Sequence, residues 1–247
     1  MTEPIRRSMA SQRVLVIIPA YNESESLPLL IGELRTRYPG FDLLVVDDGS
    51  TDQTKSVVSK LPVRMISLAC NLGVGGAMQT GLMVAHRDGY DVAIQVDGDG
   101  QHPPEEIAKL LAAMDENDSD MVLGSRFLNF DGFQSTPGRR LGIRFFSRIL
   151  SKLCHATITD ATSGFRAWNQ RAIRLLAKNY PEDYPEVEAI LMLHRANLRI
   201  SEVPVKMAAR VAGESSIGTS EAFKYMIKAP LAILMSLLRK REPQSFR

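Results

Sequence analysis

The chain reads as an α/β protein with a mostly parallel central sheet and helices on both faces. Three observations predict this. Short apolar runs alternate with helical segments of about 10–14 residues over positions 14–125. The runs are apolar throughout rather than alternating, as strands buried on both faces are. Polar and acidic residues collect directly after each run, as at the carboxyl edge of an open sheet, where ligands bind.

The elements follow in order. Val14-Leu15-Val16-Ile17-Ile18 is a buried strand stopped by Pro19. Residues 22–26, Asn-Glu-Ser-Glu-Ser, offer caps for a helix to about Tyr38. Leu43-Leu44-Val45-Val46 is a second strand, and Ser50…Gln53 has capping-box spacing for a helix to about Lys60. Val63 to Leu68 is a third strand, Gly75 to Arg87 a helix, and Asp91 to Val96 a fourth strand. Pro104 suits a helix start, because a missing N–H costs little there, and that helix ends near Glu116. Met121 to Gly124 is a further strand. After a Gly/Pro-containing loop, Arg139 to Leu153 is helical. Arg140, Arg144, Arg148 and Lys152 form one stripe, with Leu141, Phe145, Phe146, Ile149, Leu150 and Leu153 beside it. That pattern suits a charged solvated face over a core-packed one, or a helix at an anionic membrane surface.

Composition narrows the function classes. At 247 residues the chain is long enough to bury roughly 70–75 % of its unfolded surface. A net charge of +2 gives no argument for nucleic acid. Two cysteines, Cys70 and Cys154, make no disulfide framework and fit a reducing compartment. Residues 1–13 read as a disordered lead-in rather than a signal peptide. No segment reaches the roughly 20 apolar residues a spanning helix needs. Met226 to Leu238, interrupted by Lys228 and Pro230 and followed by Arg239-Lys240-Arg241, suits a helix on a membrane surface, on a partner, or on the protein's own core.

The most informative segment is Asp97-Gly98-Asp99-Gly100-Gln101-His102, at the end of the fourth strand. Two carboxylates two residues apart can point the same way. Hard cations such as Mg²⁺ or Mn²⁺ choose such oxygens. Two carboxylates do not fill an octahedral shell, and Mg²⁺ takes the remainder from water and phosphate. A nucleotide diphosphate is the natural partner. A calcium loop is excluded, because it needs Gly and Glu where this chain has His102 and Ala108. A phosphohydrolase would place its acid pair on the first strand, which here ends in Pro19-Ala20-Tyr21. Glu23 and Asp47-Asp48 stand at neighbouring strand ends, which makes a site rather than a solvated turn. Asn71-Leu72-Gly73-Val74-Gly75-Gly76-Ala77 looks like a phosphate cradle but lacks the P-loop Gly-Lys-Ser/Thr. His86, His155 and His194 have no metal-ligand spacing, and His102 beside the acids has no assigned role.

Seven motifs then occur in order: Pro19-Ala20-Tyr21-Asn22-Glu23, Val46 to Asp52, Asn71-Leu72-Gly73, Asp97 to His102, Gly124-Ser125-Arg126, Thr162-Ser163-Gly164-Phe165-Arg166 and Arg210 to Ser215. Together they resemble the inverting family-2 glycosyltransferases, and within these the polyprenyl-phosphate glycosyltransferases of the dolichyl-phosphate mannosyltransferase type. The resemblance spans roughly residues 14–225. It implies a GT-A fold and transfer of a sugar from a UDP- or GDP-linked donor to a lipid phosphate, with Mg²⁺ or Mn²⁺. It also implies roles. Pro19, Ala20, Tyr21, Glu23, one of Asp47 and Asp48, and Gly73 would hold the nucleotide. Asp97, Gly98, Asp99 and Gln101 would gather round the metal and diphosphate. Arg126, Arg139, Arg210 and Ser215 would hold phosphate groups, with Asp99, Arg126 and Arg210 central to catalysis.

Two departures stand out. Gly213-Glu214-Ser215-Ser216 replaces a Gly-x-Ser-Lys of close relatives, so that cation is either missing or supplied by Lys206 or Lys224, and Ile143 stands where a Ser is frequent. The resemblance divides the chain into the lead-in 1–13, a catalytic domain 14–218 containing the basic helix 139–153, and a C-terminal amphipathic helix with tail, 219–247. It implies a peripheral enzyme on the cytoplasmic face of a membrane, with a small membrane protein as anchor. Two rival readings stay open. One is a soluble transferase with a hydroxyl acceptor, using Glu188 or Asp160 as base. The other is a non-catalytic nucleotide-sugar-binding scaffold.

Overall fold

The computed structural model describes residues 12–129, 137–154, 156–181 and 185–209, with 137–142 as backbone only. Seven strands form one sheet: β1 (Val14–Ala20), β2 (Asp42–Asp47), β3 (Arg64–Ser67), β4 (Val92–Gln95), β5 (Met121–Ser125), β6 (Arg166–Asn169) and β7 (Ile200–Pro204). Their order is β3-β2-β1-β4-β6-β5-β7. All run parallel except β6, which is antiparallel to both β4 and β5. Strand order reverses direction between β1 and β4, and crevices form at such a switch.

Helices α1 (Leu27–Arg37), α2 (Thr54–Val58), α3 (Gly73–Arg87), α4 (Ile107–Glu116), α5 (Pro137–Cys154), α6 (Gln170–Leu176) and α7 (Pro185–Arg195) connect the strands. Successive strand residues face opposite sides. Leu15, Ile17, Leu44, Val46 and Ala93 pack with α3, α5, α6 and α7. Val14, Val16, Ile18, Leu43, Val45 and Ile94 pack with α1 and α4. This two-sided burial explains the continuous apolar runs.

The sequence-derived boundaries hold for most elements, with three informative shifts. Helix α1 starts at Leu27, because the Ser26 hydroxyl does not cap it but donates to Glu23 Oε2 at 2.8 Å. Helix α2 starts at Thr54, because Ser50 serves a turn instead: its N–H donates to Asp47 and its hydroxyl accepts from Asn22 N–H. Pro104 opens a 3₁₀ turn, Pro104–Glu106, and α4 proper follows it. Strands β6 and β7 were not legible in the sequence, and β6 lies antiparallel between β4 and β5.

No helix among the described residues is long and apolar enough to cross a membrane. Cys70 is exposed and Cys154 buried, and both are free. The lead-in up to residue 11, Arg210, Ser215, Lys224 and the predicted C-terminal helix lie outside the described residues, as does the side chain of Arg139.

Candidate active site

The ends of β1, β2, β4 and β5 and the start of β6 share one edge of the sheet. The ends of β1 and β4 are bound to each other beyond the ladder: Gly98 N–H donates to Pro19 O at 3.2 Å, so the Asp97–Asp99 turn sits against Pro19-Ala20. From β2, Asp48 N–H donates to Ala20 O at 2.8 Å. These bonds bring Pro19, Ala20, Asp47, Asp48, Asp97, Gly98 and Asp99 together. Tyr21, 40 % exposed, follows at the rim.

The two acids after β2 have local structural duties. Asp47 Oδ1 accepts from Ser50 N–H at 3.0 Å. Asp48 Oδ1 accepts from Leu72 N–H at 2.7 Å, at the N-terminus of α3. Burial lifts the Asp48 carboxyl above the usual range, and the N–H bonds from Leu72 and Gly73 pull it back. The supposed phosphate cradle therefore already holds an anion, the protein's own Asp48. Directly after them Gly49 adopts φ +69°, and a Cβ there would lie 2.7 Å from the Cys70 carbonyl carbon. The 47–50 turn is therefore packed against residues 70–71. Asn22, at φ 56°, accepts from the N–H groups of Thr51 and Asp52 and ties the β1 loop to the same turn.

The β4 end carries the central pair. Gln95 Nε2 donates to Asp97 Oδ1 at 2.8 Å, and Gln101 N–H donates to Asp99 Oδ1 at 2.9 Å. Asp97 keeps a third of its side-chain surface open, while Asp99 is 5 % exposed. Gln101 O accepts from Ala208 N–H at 3.1 Å, so the segment leading to Arg210 passes beside this loop. Among the described residues, no group of three or more His, Cys, Asp or Glu could hold a metal ion. Two carboxylates do not make an all-protein cage, and a hard cation bound by them would complete its shell with phosphate and water oxygens.

Arg126, at the end of β5, departs most from expectation. Its Nε and Nη2 donate to Asp160 Oδ2 and Oδ1, each at 2.7 Å, and Nη2 also reaches Thr162 Oγ1 at 3.3 Å. The Asp160 side chain is fully buried and that of Arg126 is 14 % exposed. Burial opposes the guanidinium charge, but Asp160 outweighs it, with Asp97 adding to the attraction, and the Arg126 pKa rises. The fork expected to clasp a phosphate in pairs thus clasps Asp160 instead. Among the described residues, Nη1 has no hydrogen-bond partner.

Asp160 is in turn set by Glu202 on β7, whose carboxylate accepts from Thr159 N–H, Thr159 Oγ1 and Asp160 N–H at 2.7–3.1 Å. Burial lifts the Glu202 carboxyl, and those donors offset part of the rise. Arg166 at the start of β6 is fully buried and donates to the carbonyls of Ser163, Glu186 and Ala161. It shapes the 160–164 loop rather than meeting a ligand. Glu202, Thr159 and Gln95 went unassigned in the sequence. The available signal was a polar residue inside an otherwise apolar strand, as at Gln95.

Residues 15–176 match the Glycosyl transferase family 2 model. The chain belongs to that family. It is 32 % identical to the polyprenol monophosphomannose synthase of Mycolicibacterium smegmatis over 88 % of this chain and 86 % of that protein. It is 34 % identical to the undecaprenyl-phosphate mannosyltransferase of Micrococcus luteus, over 83 % and 87 %. A UDP-N-acetylglucosamine–dolichyl-phosphate N-acetylglucosaminyltransferase from Methanococcus voltae is 32 % identical over 80 % and 86 %. Among solved structures, glucosyl-3-phosphoglycerate synthase of Mycobacterium tuberculosis superimposes with a TM-score of 0.71 at 17 % identity, over 94 % of this chain and 81 % of that one. That likeness establishes the GT-A fold. This glycosyltransferase therefore has the expected mixed, mostly parallel sheet.

Proposed function

We propose that this family-2 glycosyltransferase moves a sugar from a UDP- or GDP-linked donor to a polyprenyl phosphate, with inversion and with Mg²⁺ or Mn²⁺. The observation that carries the reading is Asp160: one of the two candidate bases for a hydroxyl acceptor, beside Glu188, it is buried, bonded twice to Arg126 and so already committed. A hydroxyl acceptor needs a general base. A lipid phosphate, with a second pKa near 6, is largely dianionic at neutral pH and is already a nucleophile. The names of the relatives at 32–34 % identity, each a polyprenyl, undecaprenyl or dolichyl phosphate enzyme, support the same acceptor.

In this reading Pro19, Ala20, Tyr21, Glu23, Asp47 or Asp48, and Gly73 line the nucleotide. Asp97, Gly98, Asp99 and Gln101 face the diphosphate and would hold a divalent cation, which would supply charge neutralisation for the leaving group. Arg126 presents Nη1 to a phosphate from a fixed position, because Asp160 holds the rest of its fork. Arg139, Arg210 and Ser215 complete the phosphate contacts. The electrostatic attraction between Asp97 and Arg126 supports a reading in which the metal and phosphate functions lie side by side.

The deciding assay combines a panel of UDP- and GDP-sugars, Mg²⁺ or Mn²⁺, and either polyprenyl phosphate or free sugars as acceptor. Labelled sugar is expected in the lipid extract. Transfer to hydroxyl acceptors alone would defeat the proposal.

The enzyme is further proposed to work as a peripheral protein on the cytoplasmic face of a membrane, with a small membrane protein as anchor. Arg144, Arg148 and Lys152 are exposed on α5, and Phe145 beside them is 49 % exposed, while Phe146 and Leu150 are buried. Each basic residue near an anionic surface contributes about 1 kcal/mol. Reversing Arg144 and Arg148 to Glu is expected to weaken sedimentation with anionic vesicles by roughly thirty-fold or more. Binding that ignores both reversals would separate α5 from the membrane.

A further inference from the structure

His102 is conspicuous because it is deeply placed and the proposed function gives it no part. Its ring is 3 % exposed and lies stacked on Phe165, centroids 4.9 Å apart at 19°. Its Nδ1 accepts the Asp97 N–H at 3.0 Å. A neutral imidazole that accepts at Nδ1 carries its proton on Nε2. That Nε2 lies 3.7 Å from Asp97 Oδ2. One ring therefore addresses both the backbone and the carboxylate of the same residue.

Two further groups brace Asp97, which keeps a third of its side-chain surface open. Gln95 holds Oδ1 at 2.8 Å. Gly164 closes the third side: a Cβ there would lie 3.0 Å from Asp97 Oδ2 and 2.9 Å from Gln95 Nε2. Phe165, which follows Gly164, is the residue His102 stacks on and is itself fully buried. The antiparallel β6 delivers this loop, since Arg166 is in register with Gln95. Asp97 thus sits in a cage built from its own loop, its own strand and the loop before β6.

We propose that His102 and Gln95 are positioning residues that hold Asp97 ready for a divalent cation, His102 through its Nδ1 acceptor and Gln95 through its amide. The idea rests on the metal-dependent reading above. Groups that orient a metal ligand change metal affinity by roughly 10–100-fold when removed. The ring's stacking on Phe165 is a separate, packing contribution, and the two can be divided by substitution. His102→Asn keeps an acceptor oxygen for the Asp97 N–H and loses the ring. His102→Leu keeps apolar bulk and loses the acceptor.

The experiment titrates Mn²⁺ alone into the full chain, reading free Mn²⁺ by electron paramagnetic resonance. Hydrogen exchange of the Asp97 amide is followed in metal-free protein alongside it. His102→Leu and Gln95→Leu are expected to weaken Mn²⁺ binding by roughly 10–100-fold. His102→Leu should also speed exchange at the Asp97 amide. His102→Asn is expected to recover most of both properties. Wild-type Mn²⁺ affinity and amide protection in a folded His102→Leu protein would overturn the proposal. So would equal loss in His102→Leu and His102→Asn, which would mean that the ring serves packing alone. Absence of saturable Mn²⁺ binding by the wild type would instead refute the metal reading. The role of His102 is then decided on the amide, where unchanged protection in His102→Leu counts against it.

Discussion

Replacing Asp99 by Asn is expected to leave the fold standing and to remove transfer activity. Asp99 is nearly buried, and its Oδ1 accepts the Gln101 N–H. Asparagine keeps a carbonyl oxygen able to accept that bond, so the turn has no reason to open. What it loses is one of the two carboxylates on which a cation and the donor diphosphate depend in the proposed mechanism. Losing one preorganised electrostatic group at a reacting centre costs about 10²–10³ in rate. Removing a cation ligand as well puts the expected loss at or beyond the upper end. The check pairs a single-turnover transfer assay with thermal unfolding. A folded variant with wild-type transfer would end the metal–diphosphate reading of the segment.

Asp160→Asn is expected to damage stability and catalysis together. The Arg126–Asp160 pair is withdrawn from solvent and bidentate, with an additional bond from Arg126 N–H at 3.2 Å. A surface pair of this kind would contribute little. Removing one partner of a buried pair strands the other charge and costs about 3–5 kcal/mol. For a chain of this size each kcal/mol corresponds to roughly 2–4 °C in Tm. A fall on the order of 10 °C is therefore expected in Asp160→Asn, with loss of transfer because the Arg126 fork is no longer held. The outcome discriminates between roles. Lost transfer with unchanged unfolding would make Asp160 a base and would revive the hydroxyl-acceptor reading.

How much of this was legible in the sequence depends on range. Strands β1, β2 and β4 declared themselves because both faces are buried, so nearly every residue is apolar. The Asp97–Gln101 cluster was legible because its chemistry lies within five consecutive positions. Strand β6 was not, because Arg166-Ala167-Trp168-Asn169 begins with a charge that is buried only by virtue of three carbonyls supplied from other segments. The 71–77 glycines suggested a phosphate cradle because local sequence shows an open helix N-terminus and cannot show Asp48 filling it. Arg126 looked like a free phosphate ligand because Asp160 lies 34 residues away and pairs with it only once the chain, after α5, has returned to the end of β5.

The amino-acid order alone therefore determined the α/β class, the acidic edge and the family, since each rests on local periodicity or on short motifs whose residues meet as neighbours. Tertiary structure decided which charges are available. It assigned Asp48 to α3, Asp160 to Arg126 and His102 to Asp97. The reason is that availability depends on burial and on partners distant in sequence. A carboxylate or guanidinium taken out of water must be paired by whatever the fold brings within about 3 Å. Only the packed sheet edge says what that partner is.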